Sequence, residues 1–149
     1  MELKLEYDKS LYGKEHVAGP FTVTEEMIRA FAKATGDLNP VYTDEAQSKA
    51  LGYEKLVAPP TMCTMFVRQV KLPDIKLNFG KNRFHAGQRV SVRKVIEAGD
   101  ELTASSHLKE VYPKTGRSGT MVFIVWETTF TNQNGDVVAD VQESFATRE

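Results

Sequence analysis

A single cysteine, Cys63, is all this chain has. No disulfide can staple the fold, and no cysteine cluster offers zinc-ligand spacing. Charge of one sign is also missing: Lys and Arg number 19 against 20 Asp and Glu, a formal net charge of −1. Without a basic surplus, the phosphate-neutralising surface of a nucleic-acid binder is not expected. No apolar run approaches the roughly 20 residues of a membrane-spanning helix, so no membrane partner is expected. Residues 1–16 are charged and lack an apolar h-region, so no signal peptide and a reducing, cytoplasmic location are expected. Repeats, linkers and low-complexity stretches are absent as well. What is present suits one domain over residues 1–149: 41% hydrophobic and 26% charged residues, enough apolar mass for a real core.

The chain divides by character. Residues 20–72 read as helical and residues 84–147 as strands. The first helix is expected over residues 24–35, N-capped by Thr24, with Glu25 and Glu26 at the positive end of its dipole. Met27, Ile28, Phe31 and Ala32 share one face, and Gly36 sits where a left-handed residue ends a helix. A short second helix follows from Thr43 as its cap to about Leu51, stopped by Gly52. The third segment, residues 61–67 after Pro59 and Pro60, carries no charge. An all-apolar helix is buried on every side, so one central helix is expected here.

The strands supply its wrapping. Leu102, Ala104, Ser106, Leu108 and Tyr112 alternate with Thr103, Ser105, His107 and Lys109, and residues 113–117 read as a hairpin loop. Residues 121–126 are apolar on both faces, the mark of a central strand, and Asn134-Gly135 is a hairpin signal. Val137, Ala139, Val141 and Phe145 then alternate with Asp140, Gln142 and Ser144. Helices grouped ahead of strands give an α+β class with an antiparallel sheet. A buried helix cupped by such a sheet is the hot-dog architecture, and its open edges favour dimers.

The chemistry concentrates in Gly36-Asp37-Leu38-Asn39-Pro40-Val41-Tyr42. This segment resembles the signature of the MaoC-like (R)-specific enoyl-thioester hydratases and dehydratases. The resemblance continues through Gly52-Tyr53, residues 56–61, His85-Ala86-Gly87-Gln88, residues 98–102 and Asn134-Gly135-Asp136. It spans nearly the whole chain and is similar in particular to the amino-terminal, substrate-holding branch of that family. It implies a hot-dog domain acting on acyl groups carried as CoA or ACP phosphopantetheine thioesters, with no other cofactor and no metal. It also implies a homodimer, or a heterodimer with a catalytic hot-dog subunit.

In that family an Asp and a His five positions on converge on the water that adds to the enoyl double bond. Backbone N–H groups at the start of the buried helix hold the thioester oxygen. Carried onto this chain, Asp37 matches the catalytic Asp, and Asn39 matches the Asn that orders the turn. Position 42 departs from the pattern: it is Tyr42, a hydrogen-bond donor but a poor base near neutral pH. Pro59-Pro60 stand where the family has His-Gly, and Pro60 has no N–H to offer; Thr61 or Met62 could supply one instead. Both catalytic elements are thus altered. The expectation is an incomplete catalytic pair in a substrate-binding subunit that works beside a sister subunit.

Other readings of the same residues stay open. Asp37 and Asn39 also suit an ordinary turn, and Tyr42 suits a packing aromatic. His85 could face the thioester pocket as a donor, or be a structural strand histidine. His16 and His107 read as surface residues, and Cys63 as an inert core thiol. Lys81, Arg83, Arg89 and Arg93 read as solvated cations that could also meet CoA or carrier phosphates. A hot-dog thioesterase is the alternative enzyme, although residues 61–70 hold no Asp or Glu to activate water. The third reading is a subunit that binds acyl thioesters without catalysis.

Overall fold

A computed structural model describes residues 3–149. The first two residues of the charged amino-terminal stretch lie outside the described residues. The elements run in the order β1 (His16–Thr22), α1 (Glu25–Thr35), α2 (Glu45–Ala50), α3 (Thr64–Val67), β2 (Asn82–Val92), β3 (Glu101–Gly116), β4 (Gly119–Thr131) and β5 (Val137–Arg148). The strands form one antiparallel sheet in the order β1-β3-β4-β5-β2. β4, the strand apolar on both faces, sits in the middle as expected.

One face of the sheet is inward. Pairing places Ala104, Phe130 and Ala139 in one row and Leu108, Trp126 and Glu143 in another. Two apolar clusters cover this face. The larger joins Ile28 of α1 and Leu56, Met62, Phe66 and Val70 to Leu102, Phe130 and Val141 of the sheet. The smaller joins Leu11 and Ile75 to Leu108, Ile124 and Trp126. Between them lies a polar step, where the Ser106 and Thr128 hydroxyls bond each other at 2.6 Å in the buried interior.

Several expectations need correction. The region read as helical begins with strand: β1 takes residues 16–22, and it packs as an edge strand against β3. Asp44 rather than Thr43 caps α2, its carboxylate accepting from Ala46 N at 2.9 Å. The central helix shrinks to the four residues of α3. Around it the chain stays coiled, but through three-residue bonds: Met62 N to Pro59 O, Thr64 N to Thr61 O, Val70 N to Val67 O. The prolines remove first-turn donors, and the β-branched Thr61, Thr64, Val67 and Val70 favour α-helix less, so the tighter coil wins.

The hairpin expected at residues 113–117 turns later, because β3 runs on to Gly116 and pairs Pro113 with Val122. A bulge at Lys109 breaks the alternation of β3. Tyr112 therefore leaves the inward face and stacks on Phe123 with ring centroids 5.2 Å apart. His16 is not a surface residue, whereas His107 lies on the outer face of the sheet, half-buried. The His16 ring meets Trp126 edge-on at 5.8 Å and its Nε2 is buried. His107, 29% exposed, sits between Glu15 and Glu127. Among the described residues, no helix is long and apolar enough to cross a membrane.

Candidate functional site

The motif loop is built by successive side-chain caps. Thr24 opens α1 by accepting from Met27 N at 3.1 Å. Gly36 ends it in the left-handed region (φ 72°), a conformation that strains any residue with a Cβ. Asp37 N then reaches back to Ala32 O at 3.0 Å. The Asp37 carboxylate accepts from Asn39 N at 3.2 Å, and the Asn39 amide oxygen accepts from Val41 N at 3.2 Å. Each short polar side chain thus folds the backbone two residues ahead of itself. Pro40 begins a single 3₁₀ turn ending at Tyr42. Val57 N closes the loop onto Val41 O at 3.1 Å, and Arg29 bonds Thr43 O from the helix side.

Two of the expected site residues meet here. Asp37 is exposed, and Tyr42 packs half-buried against the larger cluster. Burial of the ring, and then the charge of the Asp37 carboxylate, push the Tyr42 phenol above its ordinary value. Near neutral pH the pair is a carboxylate beside a neutral phenol. It can accept one hydrogen bond and donate one.

The segment expected to bind the thioester oxygen divides three ways. Pro60 is exposed and has no N–H. Met62 is fully buried and spends its N–H on Pro59 O at 2.9 Å. Thr61 is exposed, and among the described residues nothing bonds its N–H. Burial raises the Cys63 thiol to about 11, which suits an inert core position.

His85 lies elsewhere. It stands on edge strand β2 beside the smaller cluster, opposite Phe145, whose ring it meets edge-on at 5.4 Å. Its Nε2 lies 2.9 Å from the Glu143 carboxylate. Gln88 donates to the same oxygen at 3.3 Å. Among the described residues, no hydrogen bond or ion pair links His85 to Asp37 or Tyr42. The three residues expected to be catalytic therefore fall at two places.

A bulge explains why His85 and Gln88 work together. One extra residue in β2, between His85 and Gly87, resets the alternation so that residues three apart face the same side. Glu143 is the residue that sequence reasoning passed over. The signal was present: it occupies the inward position of β5 between Val141 and Phe145, a carboxylate on an apolar face. Its partners come from a strand 58 residues away in sequence, which no local motif announces. Among the described residues, no group of three or more His, Cys, Asp or Glu side chains is arranged to hold a metal ion.

Known proteins are similar to this chain in sequence and in fold. The family described as FAS1-like, dehydratase domain region, matches residues 10–141. The chain is 35% identical over 133 residues to the UPF0336 protein Franean1_6066 of Parafrankia sp., covering 87% of this chain and 85% of that one. Its fold is similar to a crystal structure of a C-terminally truncated HadBC (3R-hydroxyacyl-ACP dehydratase) complex from Mycobacterium tuberculosis. The TM-score is 0.79 at 26% identity, over 93% of this chain and 98% of that one. An (R)-hydratase from A. caviae involved in PHA biosynthesis gives a TM-score of 0.70 at 18% identity, over 93% and 96% of the two chains. The fold is the hot-dog fold of the MaoC-like dehydratases and (R)-hydratases.

Proposed function

This chain belongs to the FAS1-like, dehydratase domain region family, and on that premise we propose that it is the substrate-holding subunit of a hydro-lyase. Its substrates in this reading are trans-2-enoyl or (3R)-hydroxyacyl groups carried as CoA or ACP thioesters. It forms one hot-dog domain in the cytoplasm and pairs with a second hot-dog subunit that supplies an intact Asp and His. The HadBC complex, a (3R)-hydroxyacyl-ACP dehydratase with a chain of similar fold, supports a paired arrangement.

The observation that carries this reading is Tyr42. Hydration of an enoyl thioester needs one group to take a proton from water and another to return a proton to carbon. Asp37 can accept a proton or orient water. Tyr42, half-buried and near that carboxylate, holds its own proton more tightly than a free phenol does. It therefore orients a carbonyl or hydroxyl of the substrate instead of cycling a proton at neutral pH. The Thr61 N–H, next to the exposed Pro60, is the donor left for the thioester oxygen.

The test is hydration of crotonyl-CoA, followed by loss of enoyl absorbance. The purified chain alone is expected to bind acyl-CoA without turnover, and turnover is expected once a catalytic hot-dog partner is added. Robust turnover by the chain alone, abolished in Asp37→Asn, contradicts the proposal.

A further inference from the structure

Away from the motif loop, the structure builds a second polar site into the inward face of the sheet. Glu143 is largely buried, its side chain 11% exposed, and stands in register with Trp126 on β4. A carboxylate in such a position is costly unless donors satisfy it. Here two do: the His85 imidazole at 2.9 Å and the Gln88 amide at 3.3 Å, both on one carboxylate oxygen. With Glu143 as the acceptor, the imidazole Nε2 donates the shared proton. That leaves Nδ1 as the ring's free nitrogen; among the described residues nothing bonds it. The imidazole side chain is 46% exposed, so a ligand can reach it.

A cavity of about 350 Å³ has Leu72, Ile124, Trp126 and Phe145 among its lining residues; Trp126 is the strand partner of Glu143, and Phe145 that of His85. Phe145 is the ring that His85 meets edge-on. Arg83, also lining the cavity, lies two residues before His85 on β2 and 3.9 Å from Asp74. Asp74 lines the cavity as well, so apolar side chains share it with a pair of opposite charges; apolar walls with a few polar groups are the usual form of a small-molecule site.

We infer that Glu143 is a positioning residue: it holds the His85 imidazole by Nε2 so that Nδ1 accepts a hydrogen bond from an acyl-thioester ligand whose short acyl end fills the Trp126 cavity. The assignment rests on the acyl-thioester reading above for the nature of the ligand. It does not rest on that reading for the His85–Glu143 bond itself. The acyl group meets Leu72, Ile124, Trp126 and Phe145, and the amide or hydroxyl donors of the thioester arm meet Nδ1.

The test has two arms on the full chain. In the first, proton NMR follows the ring N–H of His85, identified by its loss in His85→Asn. The resonance is expected in the wild type, retained in Glu143→Gln, whose amide oxygen still accepts, and lost in Glu143→Leu. Its absence from the wild type, or its survival in Glu143→Leu, overturns the positioning role. In the second arm, hexanoyl-CoA is titrated while the fluorescence of Trp126, the chain's one tryptophan, is recorded. A saturable change with hexanoyl-CoA and none with CoA is expected. Affinity is expected to weaken by up to about tenfold in Glu143→Leu, the worth of one hydrogen bond, and to return in Glu143→Gln. Binding seen by equilibrium dialysis with no change at Trp126 overturns the cavity assignment. No binding at all overturns both that assignment and the acyl-thioester reading, while the ring proton still decides the role of Glu143.

Discussion

The motif loop and the β2–β5 corner place polar groups by opposite means. At the loop, Asp37, Asn39 and Asp44 bond backbone N–H groups two or three residues ahead, and the side chains they position stay exposed or half-buried. At the corner, Glu143 is buried and is satisfied by side chains from another strand. A local device needs only a few consecutive residues, whereas a corner device needs the whole sheet in register. The first gives adjustable groups at the surface, and the second gives one imidazole held by a long-range bond.

The largest effect that can break this contrast lies beneath the loop. Phe66, 1% exposed, stacks on Phe21 at 5.0 Å and anchors the short α3 in the larger cluster. Phe66→Ala is expected to cost about 3–5 kcal/mol in urea-induced unfolding. A loss under about 1 kcal/mol would mean that the loop end is not carried by this cluster.

Next comes the local device itself. Asp44→Ala removes the carboxylate that accepts from Ala46 N and Gln47 N. The expected loss is about 1 kcal/mol, with helix α2 fraying first in amide hydrogen exchange. Unchanged exchange across α2 would deny the cap its role.

A smaller effect sharpens the sheet side. Burial acts to raise the Asp140 carboxyl, but bonds from Thr129 and Arg93 outweigh it and hold the group below its usual value. Its contribution to stability is therefore full above the unfolded carboxyl's range near pH 4. It disappears as pH falls through the lower folded value. Asp140→Asn is expected to cost under about 1 kcal/mol at pH 7, since Arg93 is mostly exposed. The gap from wild type should close as pH falls through that lowered folded value. A gap that stays constant across this range would show that the charge contributes nothing.

The same contrast explains what the sequence reveals. Gly36, Asn39, Asn134-Gly135 and the alternation of residues 102–108 act through near neighbours, and each stands where its local chemistry puts it. The central position of β4 follows from its two apolar faces. Legibility fails where a distant partner decides. The bulges at Lys109 and Ala86 flip the alternation without a marker in the residues themselves. The four-residue α3 loses to a tighter coil although its composition reads as one buried helix. Glu143 is visible as an inward carboxylate, but its bond to His85 appears only when β2 is laid beside β5.

The central claim is that the motif pair is a carboxylate beside a phenol that keeps its proton. Burial and Asp37 raise the phenol in the folded chain. The Tyr42 contribution to stability is therefore lost as pH climbs from about 10 through that higher value. The direct measurement is a pH titration of the Tyr42 phenol by ring-carbon NMR, in the wild type and in Asp37→Asn. The account predicts a midpoint above about 10 in the wild type that moves down when the Asp37 charge is removed. A midpoint at or below about 10, or one indifferent to Asp37, contradicts it.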